Sequence, residues 1–370
     1  AAGGFAWIPH DPAVDFAAVM AHVRGAIATI APHDSQERFE GLGVQVVRET
    51  ARFAGPRTVE SDSVRVTARK IVVATGSRPR VPPIPGLADT PHLTNESVFE
   101  LERLPEHLLV LGGGPIGLEL GQAFRRLGSA VTVVEAASLL GREDPDHTAV
   151  VRRQLEAEGV RFVMGAAARV EPGPTLVLGD GTRLGGSHLL VAVGREPSVE
   201  ALALDKAGVR LDPKGFIATD GNLRTSNRAV FAIGDVAGRG QWTHLAGAHA
   251  SLFVRRGLFA APVDADALVV PRVTYTDPEL AAVGLIEAEA RARYGARLQV
   301  HAADFAGNDR AVAEGDVRGG GKLFVGPGGQ VLGASLVGRH AGDHIHLWTL
   351  AMAARLKLTA VAGMIAPYPS

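Results

Sequence analysis

The clearest pattern of apolar and polar positions in the chain runs from Leu108 to Glu135. The apolar run Leu108–Leu111 predicts a buried parallel strand, and the turn that follows reads Gly-Gly-Gly-Pro-Ile-Gly. A helix is then predicted by apolar residues at helical spacing, namely Ile116, Leu120, Phe124 and Leu127. A second apolar strand, Ala130–Val134, ends at Glu135. Strand, glycine turn, helix, strand and acid in this order predict a dinucleotide-binding unit.

Each glycine of this turn has a predicted task. Gly112 permits the tight turn, Gly114 lets a pyrophosphate approach the backbone, and Gly117 lets the helix pack closely on the strand. Pro115 and Ile116 begin the helix, whose positive N-terminal end points at the phosphates. A glycine turn of purely structural origin is the alternative for the motif taken alone.

Glu135 decides which coenzyme is predicted. An acid at the end of the second strand stands at the spacing where it meets a ribose 2′-hydroxyl. Its negative charge would repel a 2′-phosphate. The sequence therefore favours NADH over NADPH.

Two further segments combine an apolar strand with a glycine turn, Lys70–Ser77 and Ala229–Asp235. Upstream, the pattern predicts a helix over residues 15–30 and short strands near 44–47, 51–53 and 64–66. Asp144 is predicted to cap the helix after Glu135, and a hairpin is predicted around the turn at 179–181. From about residue 268 the pattern becomes α+β, with strands near 298–301, 322–325 and 331–337.

Composition narrows the function classes. The chain has 370 residues, enough for two or three domains, and its formal net charge of −1 gives no general attraction to nucleic acid. No apolar run reaches the roughly 18 residues of a membrane span, so a cytoplasmic protein is expected. The sequence contains no cysteine, which excludes disulfides, thiolate metal sites and a thiol nucleophile within these residues.

Seven motifs, spread in order over nearly the whole chain, resemble the pyridine-nucleotide flavoprotein disulfide reductases. This is the group of dihydrolipoamide dehydrogenase and mercuric reductase. The motifs are Ala74–Gly76, Val81–Leu87, Gly112–Gly117, Gly194-Arg195 with Pro197, Thr225–Asn227, Gly234-Asp235 and Tyr275–Pro278.

The resemblance implies an α/β fold with two Rossmann-like domains and a C-terminal α+β domain. A discontinuous and incomplete FAD domain would comprise residues 1–105 and 220–265, and the NAD(P) domain residues 106–219. Residues 266–370 would form the dimerisation domain of a homodimer, with its C-terminal end truncated. The implied cofactors are FAD and NAD.

The resemblance also assigns roles to single residues. The turn Ala74, Thr75 and Gly76 would close on the FAD, and Asp235, after Gly234, would bind the ribityl chain. The flavin ring would lie near the backbone of His244, Leu245 and Ala246. For Asp235, a helix N-cap is the competing explanation.

Two more residues receive a role on the NAD side. Glu119, one helical turn beyond the fingerprint, would face the nicotinamide carboxamide, and Gly194 would contact the NAD. For Glu119, a solvated helix face is the competing explanation.

Both ends of the sequence depart from the family pattern. The FAD fingerprint and the CxxxxC redox pair belong before Ala1, and residues 1–7 resemble the segment that follows the cysteines. We therefore expect a part of a longer protein, inactive alone, whereas the alternative is a truncated protein that binds NAD without FAD.

Tyr368 stands where most relatives carry a histidine, and a phenol with a pKa near 10 is a poor base at neutral pH. It could instead hydrogen-bond or help to coordinate an acceptor.

The predicted function is that of an NADH-dependent FAD oxidoreductase. Hydride would pass from NADH to the flavin N5, and the electrons then to a disulfide, a metal ion or a small acceptor. The alternatives are an NADH:acceptor reductase of this fold without a dithiol, and a non-catalytic NAD-binding fragment. A histidine-rich cluster is interpreted as a polar surface rather than a metal site, and comprises His340, Asp343, His344 and His346.

Overall fold

The computed structural model describes residues 14–370, so the predicted resemblance of residues 1–7 lies outside the described residues. The chain divides into two compact units. Unit 1 comprises residues 14–20, 81–193 and 269–370, and unit 2 comprises residues 21–80 and 194–268. The division into FAD, NAD(P) and dimerisation domains at the boundaries given above stays a prediction.

The helices, in chain order, are α1 Phe16–Ile30, α2 Gln36–Gly41, α3 Pro115–Leu127, α4 Pro145–Ala157, α5 Thr243–Phe253, α6 Glu287–Tyr294, α7 Asp309–Glu314, α8 Ala341–Ala353 and α9 Leu358–Ala362.

The first strands are β1 Arg52–Gly55, β2 Thr58–Glu60, β3 Arg65–Thr67, β4 Ile71–Val73, β5 Ser77–Pro79, β6 His107–Leu111, β7 Ala130–Glu135, β8 Val160–Met164, β9 Ala167–Glu171 and β10 Thr175–Leu178. The remaining strands are β11 Arg183–Gly185, β12 His188–Val191, β13 Arg195–Pro197, β14 Val230–Ala232, β15 Pro271–Thr274, β16 Glu279–Gly284, β17 Gln299–Asp304, β18 Gly320–Val325 and β19 Val331–Gly338.

Unit 1 contains the predicted parallel sheet, with strand order β12-β6-β7-β8. Strand β6 lies inside this sheet, and Leu108, Leu109 and Val110 are fully buried. Helix α3 covers one face, where Phe124 joins the same apolar cluster as Leu108. The predicted hairpin is confirmed by the antiparallel pairing of β10 with β11.

A five-stranded antiparallel sheet, ordered β15-β16-β19-β18-β17, forms the C-terminal part of unit 1. The predicted strands β17, β18 and β19 are confirmed, whereas β16, which pairs with β19 along its whole length, was not predicted. All eight residues of β19 are buried, because this strand lies between two others and under α8.

Asp144 joins α4 to this C-terminal sheet. As predicted, it caps α4, since its carboxylate accepts the backbone N–H groups of Asp146 and His147 at 3.0 and 3.3 Å. The same fully buried carboxylate accepts the Lys322 ammonium from β18 at 3.0 Å. His147 Nδ1 lies 2.7 Å from Ser335 Oγ in β19. Paired polar groups therefore fix the start of α4 against the sheet.

Unit 2 contains three small sheets, ordered β1-β2-β3, β13-β5 and β14-β4. Strands β4 and β14 are parallel, so the turns that follow them, at Gly76 and Gly234, leave the same edge of the sheet.

The predicted strand at 44–47 is wrong. Val44 and Val47 are exposed, and within residues 14–370 no strand pairs with them; the Val44 N–H instead donates to the Phe39 carbonyl at 3.0 Å.

Within residues 14–370 the structure has no helix that is both long and apolar enough to cross a membrane.

Candidate functional site

The glycine turn after β6 has two positions that the fold itself requires. Gly112 has a φ of +112°, and a Cβ added there would lie 2.5 Å from the Ala192 carbonyl oxygen. A Cβ on Gly117 would lie 2.1 Å from the Gly112 carbonyl oxygen. Both distances are far below contact, so only glycine lets α3 approach β6 in this way.

Gly114 has a different environment. It is the N-cap of α3 with a φ of −80°, and a Cβ built on it would meet nothing within 4 Å. No side chain caps α3, and Pro115 is its first residue. Open space therefore lies before uncapped N–H groups, including that of Ile116, which is the arrangement that binds a phosphate.

Glu135 lies beside this turn at the end of β7. Its Oε2 accepts the Gly113 N–H at 2.7 Å, and its Oε1 accepts the Ala137 N–H at 2.8 Å. The carboxylate is thus held in one orientation next to the glycines, as a ribose-binding acid requires. Sequence reasoning did not assign Gly113 a role, although its place within the fingerprint was an available signal.

Glu119 lies on the second turn of α3 and is partly buried. Its Oε1 accepts the backbone N–H of Tyr275 at 2.8 Å. Burial raises the pKa of the Glu119 carboxyl above its ordinary value, and the bond from Tyr275 acts in the opposite direction. This paired environment is not the solvated helix face that was the alternative. The nicotinamide contact itself stays a prediction.

In unit 2, the turns after β4 and β14 lie at one edge of a parallel sheet. Gly76 has a φ of +67° with open space at its Cα, and Ala74 and Thr75 are exposed. Gly234 has a φ of +69° and is followed by Asp235, whose side chain is 20% exposed. An accessible carboxylate after a strand-end glycine can accept a hydrogen bond from a sugar hydroxyl.

Asp235 is hydrogen-bonded to a residue that the sequence did not assign. Ser77 Oγ donates to Asp235 Oδ2 at 2.6 Å and accepts from Arg195 Nε at 2.7 Å. Ser77 directly follows Gly76, but no local pattern in the sequence links it to Asp235, 158 residues away. Asp235 is the second residue of the 3-10 turn Gly234–Ala237, whose N-cap is Ile233 and which no side chain caps, so the structure gives no support to the N-cap explanation.

Gly194 also lies in unit 2, although the resemblance assigned it to NAD. Its φ is +109°, and its carbonyl accepts the Arg80 N–H at 3.0 Å, extending the pairing of β5 with β13. Thr75 Oγ1 donates to the Ser198 carbonyl at 2.7 Å across the same pair of segments. A contact of Gly194 with NAD stays a prediction.

Helix α5 carries the residues predicted to lie near the flavin ring. His244 is exposed and Leu245 is buried. A Cβ on Gly234 would lie 3.3 Å from Ala246 Cβ, so this helix packs on the Gly234 turn. The fully buried His249 accepts the Gly234 N–H on Nδ1 at 3.2 Å.

The remaining candidates are in the C-terminal part of unit 1. Tyr368 is 83% exposed, and its hydroxyl donates to Asp309 Oδ2 at 3.0 Å. His340 Nδ1 lies 4.0 Å from Asp343 Oδ2, and His346 Nδ1 lies 3.0 Å from the Asp343 carbonyl oxygen. No group of three or more His, Cys, Asp or Glu side chains in residues 14–370, His344 included, is arranged to hold a metal ion.

Comparison with protein families decides the classification. Residues 18–250 match the family described as pyridine nucleotide-disulphide oxidoreductase, and residues 270–370 match the dimerisation domain of the same family. The chain belongs to this family. The predicted resemblance and the mixed α/β fold class are confirmed.

Individual members of the pyridine nucleotide-disulphide oxidoreductase family match over most of the chain. A mercuric reductase of Streptomyces lividans is 34% identical over 97% of this chain and 78% of its own length. A dihydrolipoyl dehydrogenase of Thermus scotoductus is 37% identical over 90% of this chain and 74% of its own length. The chain spans 66% of a Staphylococcus aureus mercuric reductase and 53% of one from Bacillus cereus.

Solved structures give the same result. The Cu(II) complex of the HOCl-induced flavoprotein disulfide reductase RclA from Escherichia coli superimposes with a TM-score of 0.88. It is 28% identical and covers 97% of this chain and 84% of its own. LpdA from Mycobacterium tuberculosis gives a TM-score of 0.86 at 26% identity, covering 98% of this chain and 82% of its own.

Members of the family use FAD and a pyridine nucleotide. In unit 1 the open space at Gly114, the uncapped start of α3 and the fixed Glu135 carboxylate fit the pyridine nucleotide. At the Gly234 turn of unit 2, Asp235 accepts from Ser77 on Oδ2 only, and the buried His249 Nε2 has no hydrogen-bond partner within residues 14–370. Free polar atoms beside an open glycine turn fit a cofactor that carries hydroxyl and carbonyl groups.

We expect acid to destabilise unit 2 through His249. Because Nδ1 accepts the Gly234 N–H, the ring is neutral with its proton on Nε2. Burial, and then the charge of Arg239, lower the pKa of His249. An unfolded histidine keeps a pKa of about 6.5, so stability is full above about pH 6.5 and falls below it, by at most about 1.4 kcal/mol per pH unit. Urea unfolding between about pH 7.5 and pH 5 measures this loss.

His249→Gln is the matched control, since glutamine keeps an acceptor for Gly234 but does not titrate. His147 and His107, whose pKa values burial also lowers, contribute a loss of the same sign in unit 1. The variant should therefore lose less stability in acid than the parent protein. Equal losses in the two proteins would remove His249 from the explanation.

Proposed function

We propose that this chain forms the coenzyme-binding part of an NADH-dependent FAD oxidoreductase that passes electrons to a disulfide, a metal ion or another small acceptor. The observation that carries the proposal is the Glu135 carboxylate, held by two backbone N–H groups beside the open Gly114 turn. When bound, FAD accepts a hydride from the pyridine nucleotide and passes electrons onward one or two at a time.

The preference for NADH follows from the charge of Glu135. Its two oxygens face the Gly113 and Ala137 N–H groups, so the carboxylate cannot turn away from a ligand in the turn. A ribose 2′-hydroxyl can donate to it, whereas a 2′-phosphate would bring a second negative charge to the same place. The expected discrimination is therefore against NADPH.

Glu119 is proposed to orient the nicotinamide. One of its oxygens accepts the Tyr275 N–H, which leaves the other for the carboxamide N–H group. Holding the ring in one orientation is the protein's main contribution to hydride transfer, because the transferred hydrogen must lie close to its acceptor. Glu119 would thus be a binding group and not a proton donor.

The names of the relatives support a disulfide or a metal ion as acceptor. They include mercuric reductases, a dihydrolipoyl dehydrogenase and a Cu(II) complex of a flavoprotein disulfide reductase. Tyr368, exposed and hydrogen-bonded to Asp309, is proposed to contact the acceptor through its hydroxyl. Because this hydroxyl donates to the Asp309 carboxylate, Tyr368 is proposed to act as a hydrogen-bonding group and not as a base.

A second candidate is direct transfer from flavin to a small acceptor without a dithiol. The absence of cysteine from the 370 residues favours it for the chain as given. A non-catalytic NAD-binding fragment would transfer electrons neither through a dithiol nor directly from a flavin. The cytoplasmic location expected from the sequence stays a prediction.

A homodimer is proposed through residues 270–370, which match the family's dimerisation domain. Large apolar side chains are exposed in this region, namely Leu350, Met364 and Ile365, the last of them 95% exposed. Burial of such side chains in an interface is favourable at roughly 25 cal/mol per Å².

The test is steady-state oxidation of NADH by the full-length, FAD-loaded protein with a panel of acceptors. We expect turnover with a disulfide or with Hg(II) or Cu(II) if a dithiol takes part, and turnover with a quinone alone if electrons leave the flavin directly. Tyr368→Phe should lower kcat/KM for the acceptor several-fold without changing the KM for NADH. No turnover with any acceptor would contradict the enzymatic proposal.

A further inference from the structure

We propose that Ser77 is a positioning residue that links Arg195 to Asp235 and fixes which carboxylate oxygen of Asp235 meets the cofactor. The inference rests on the proposed role of Asp235 in FAD binding. It adds the role of Ser77, the direction of each hydrogen bond, and the oxygen of Asp235 that is left for the cofactor. Ser77, Arg195 and Asp235 all lie in unit 2.

The directions of the hydrogen bonds follow from the chemistry of the three groups. Arg195 donates from Nε to Ser77 Oγ at 2.7 Å and from Nη2 to the Ser77 carbonyl at 2.6 Å. A guanidinium can only donate, so the Ser77 hydroxyl must accept from it. The single hydroxyl proton of Ser77 is then left for Asp235 Oδ2, 2.6 Å away. An ionised carboxylate can only accept, so this order cannot be reversed.

The hydrogen bond that holds Asp235 comes from Ser77 and not directly from Arg195. Arg195 Nε lies 3.9 Å from Asp235 Oδ2, which is too far for a hydrogen bond. Arg195 and Asp235 are each about one-fifth exposed, so water screens the attraction between their charges only in part. The orientation of the Asp235 carboxylate therefore depends on the Ser77 hydroxyl.

The consequence concerns Asp235 Oδ1. Within residues 14–370 this oxygen has no hydrogen-bond partner, whereas Oδ2 is taken by Ser77. With Oδ2 fixed, rotation of the carboxylate is restricted and Oδ1 points to one direction only. We infer that Oδ1 is the oxygen that accepts from a hydroxyl of the flavin side chain.

The backbone around the three residues is itself fixed. Ser77 and Arg195 lie on the paired strands β5 and β13, where Ser77 is opposite Pro197. The Ser198 N–H donates to the Gly76 carbonyl at 3.1 Å, and Gly234, before Asp235, donates to His249. The Ser77 side chain thus connects Arg195 on β13 to Asp235 after β14, as expected of a residue that fixes the orientation of the Asp235 carboxylate.

A double-mutant cycle on FAD affinity separates positioning from a general structural effect. Ser77→Ala should weaken FAD binding about tenfold in the parent protein and less than twofold in an Asp235→Asn background. Ser77→Thr, which keeps the hydroxyl, should restore affinity to within about threefold. Ser63→Ala is the matched control, because Ser63 also donates to a carboxylate, that of Glu49, elsewhere in unit 2. It should leave FAD affinity unchanged.

The dissociation constant is measured by flavin fluorescence, with circular dichroism of the bound flavin as a second readout. An equal effect of Ser77→Ala in both backgrounds, or no effect in the parent, would overturn the positioning role. If Asp235→Asn alone leaves FAD affinity unchanged, the proposed role of Asp235 fails as well. If Ser77→Ala does not fold, Ser77→Thr and Ser77→Cys replace it in the cycle. A thiol is a weaker hydrogen-bond donor than a hydroxyl, so Ser77→Cys should bind FAD more weakly than Ser77→Thr.

Discussion

Replacing Gly117 by alanine should destabilise unit 1 by about 3 kcal/mol and abolish measurable NADH binding. Alanine would by itself favour the helix by roughly 1 kcal/mol. The added Cβ, however, would lie 2.1 Å from the Gly112 carbonyl oxygen, a backbone atom that cannot rotate away. Because α3 must then move off β6, the clash decides the sign. Chemical unfolding and NADH binding by calorimetry measure the two effects.

Gly114→Ala is the matched control for this prediction. A Cβ there meets nothing within 4 Å and the φ of −80° suits alanine, so stability should change by less than about 0.5 kcal/mol. NADH affinity should nevertheless fall at least tenfold, since the methyl group occupies the space through which a pyrophosphate approaches. If Gly114→Ala binds NADH normally, the open space at this turn is not the phosphate site.

Glu135→Ala should lower the ratio of kcat/KM for NADH to that for NADPH at least tenfold. A hydrogen bond to a charged group contributes about 1.5–3 kcal/mol, which corresponds to a factor of roughly 10–150. The variant loses this contact with the 2′-hydroxyl and also loses the repulsion of the 2′-phosphate. The ratio is measured with the FAD-loaded protein and one fixed acceptor.

Glu135→Gln separates charge from shape. Glutamine keeps an oxygen that can accept the Gly113 N–H but carries no charge, so turnover with NADPH should rise while NADH loses only part of its advantage. Both variants should unfold within about 1 kcal/mol of the parent, because the lost backbone contacts are half-exposed. A ratio that stays unchanged in both would mean that Glu135 does not select the coenzyme.

The strongest local patterns in the sequence predicted their structure well. The strand, turn and helix from Leu108 to Leu127 are present because three features favour one arrangement. These are the apolar run Leu108–Leu111, the glycines at 112 and 117 where a Cβ would clash, and the apolar face of the helix. The predicted strand near Val44 failed because an apolar run forms a strand only with a partner. Strand β16 was missed because Leu-Ala-Ala-Val is short and has little β-branched character, and its pairing with β19 comes from distant sequence.

A contact within a candidate site could be predicted from the sequence only where the two residues belong to one local motif. Glu135 meets Gly113 across a single βαβ unit, which the fingerprint describes. The contact of Ser77 with Asp235 joins residues 158 apart, and that of Glu119 with Tyr275 joins residues 156 apart. No local pattern encodes such pairs, because they depend on how separate segments pack. For this reason Ser77 received no role from the sequence.

The central claim is that the full-length protein delivers a hydride from NADH, in preference to NADPH, to a bound FAD. It is tested most directly by mixing the FAD-loaded protein with each coenzyme without oxygen and following the absorbance of the oxidised flavin. We expect NADH to bleach this absorbance within the time of turnover, and NADPH to do so at least tenfold more slowly at equal concentration. Flavin that stays oxidised with NADH, or that is reduced faster by NADPH, would contradict the claim.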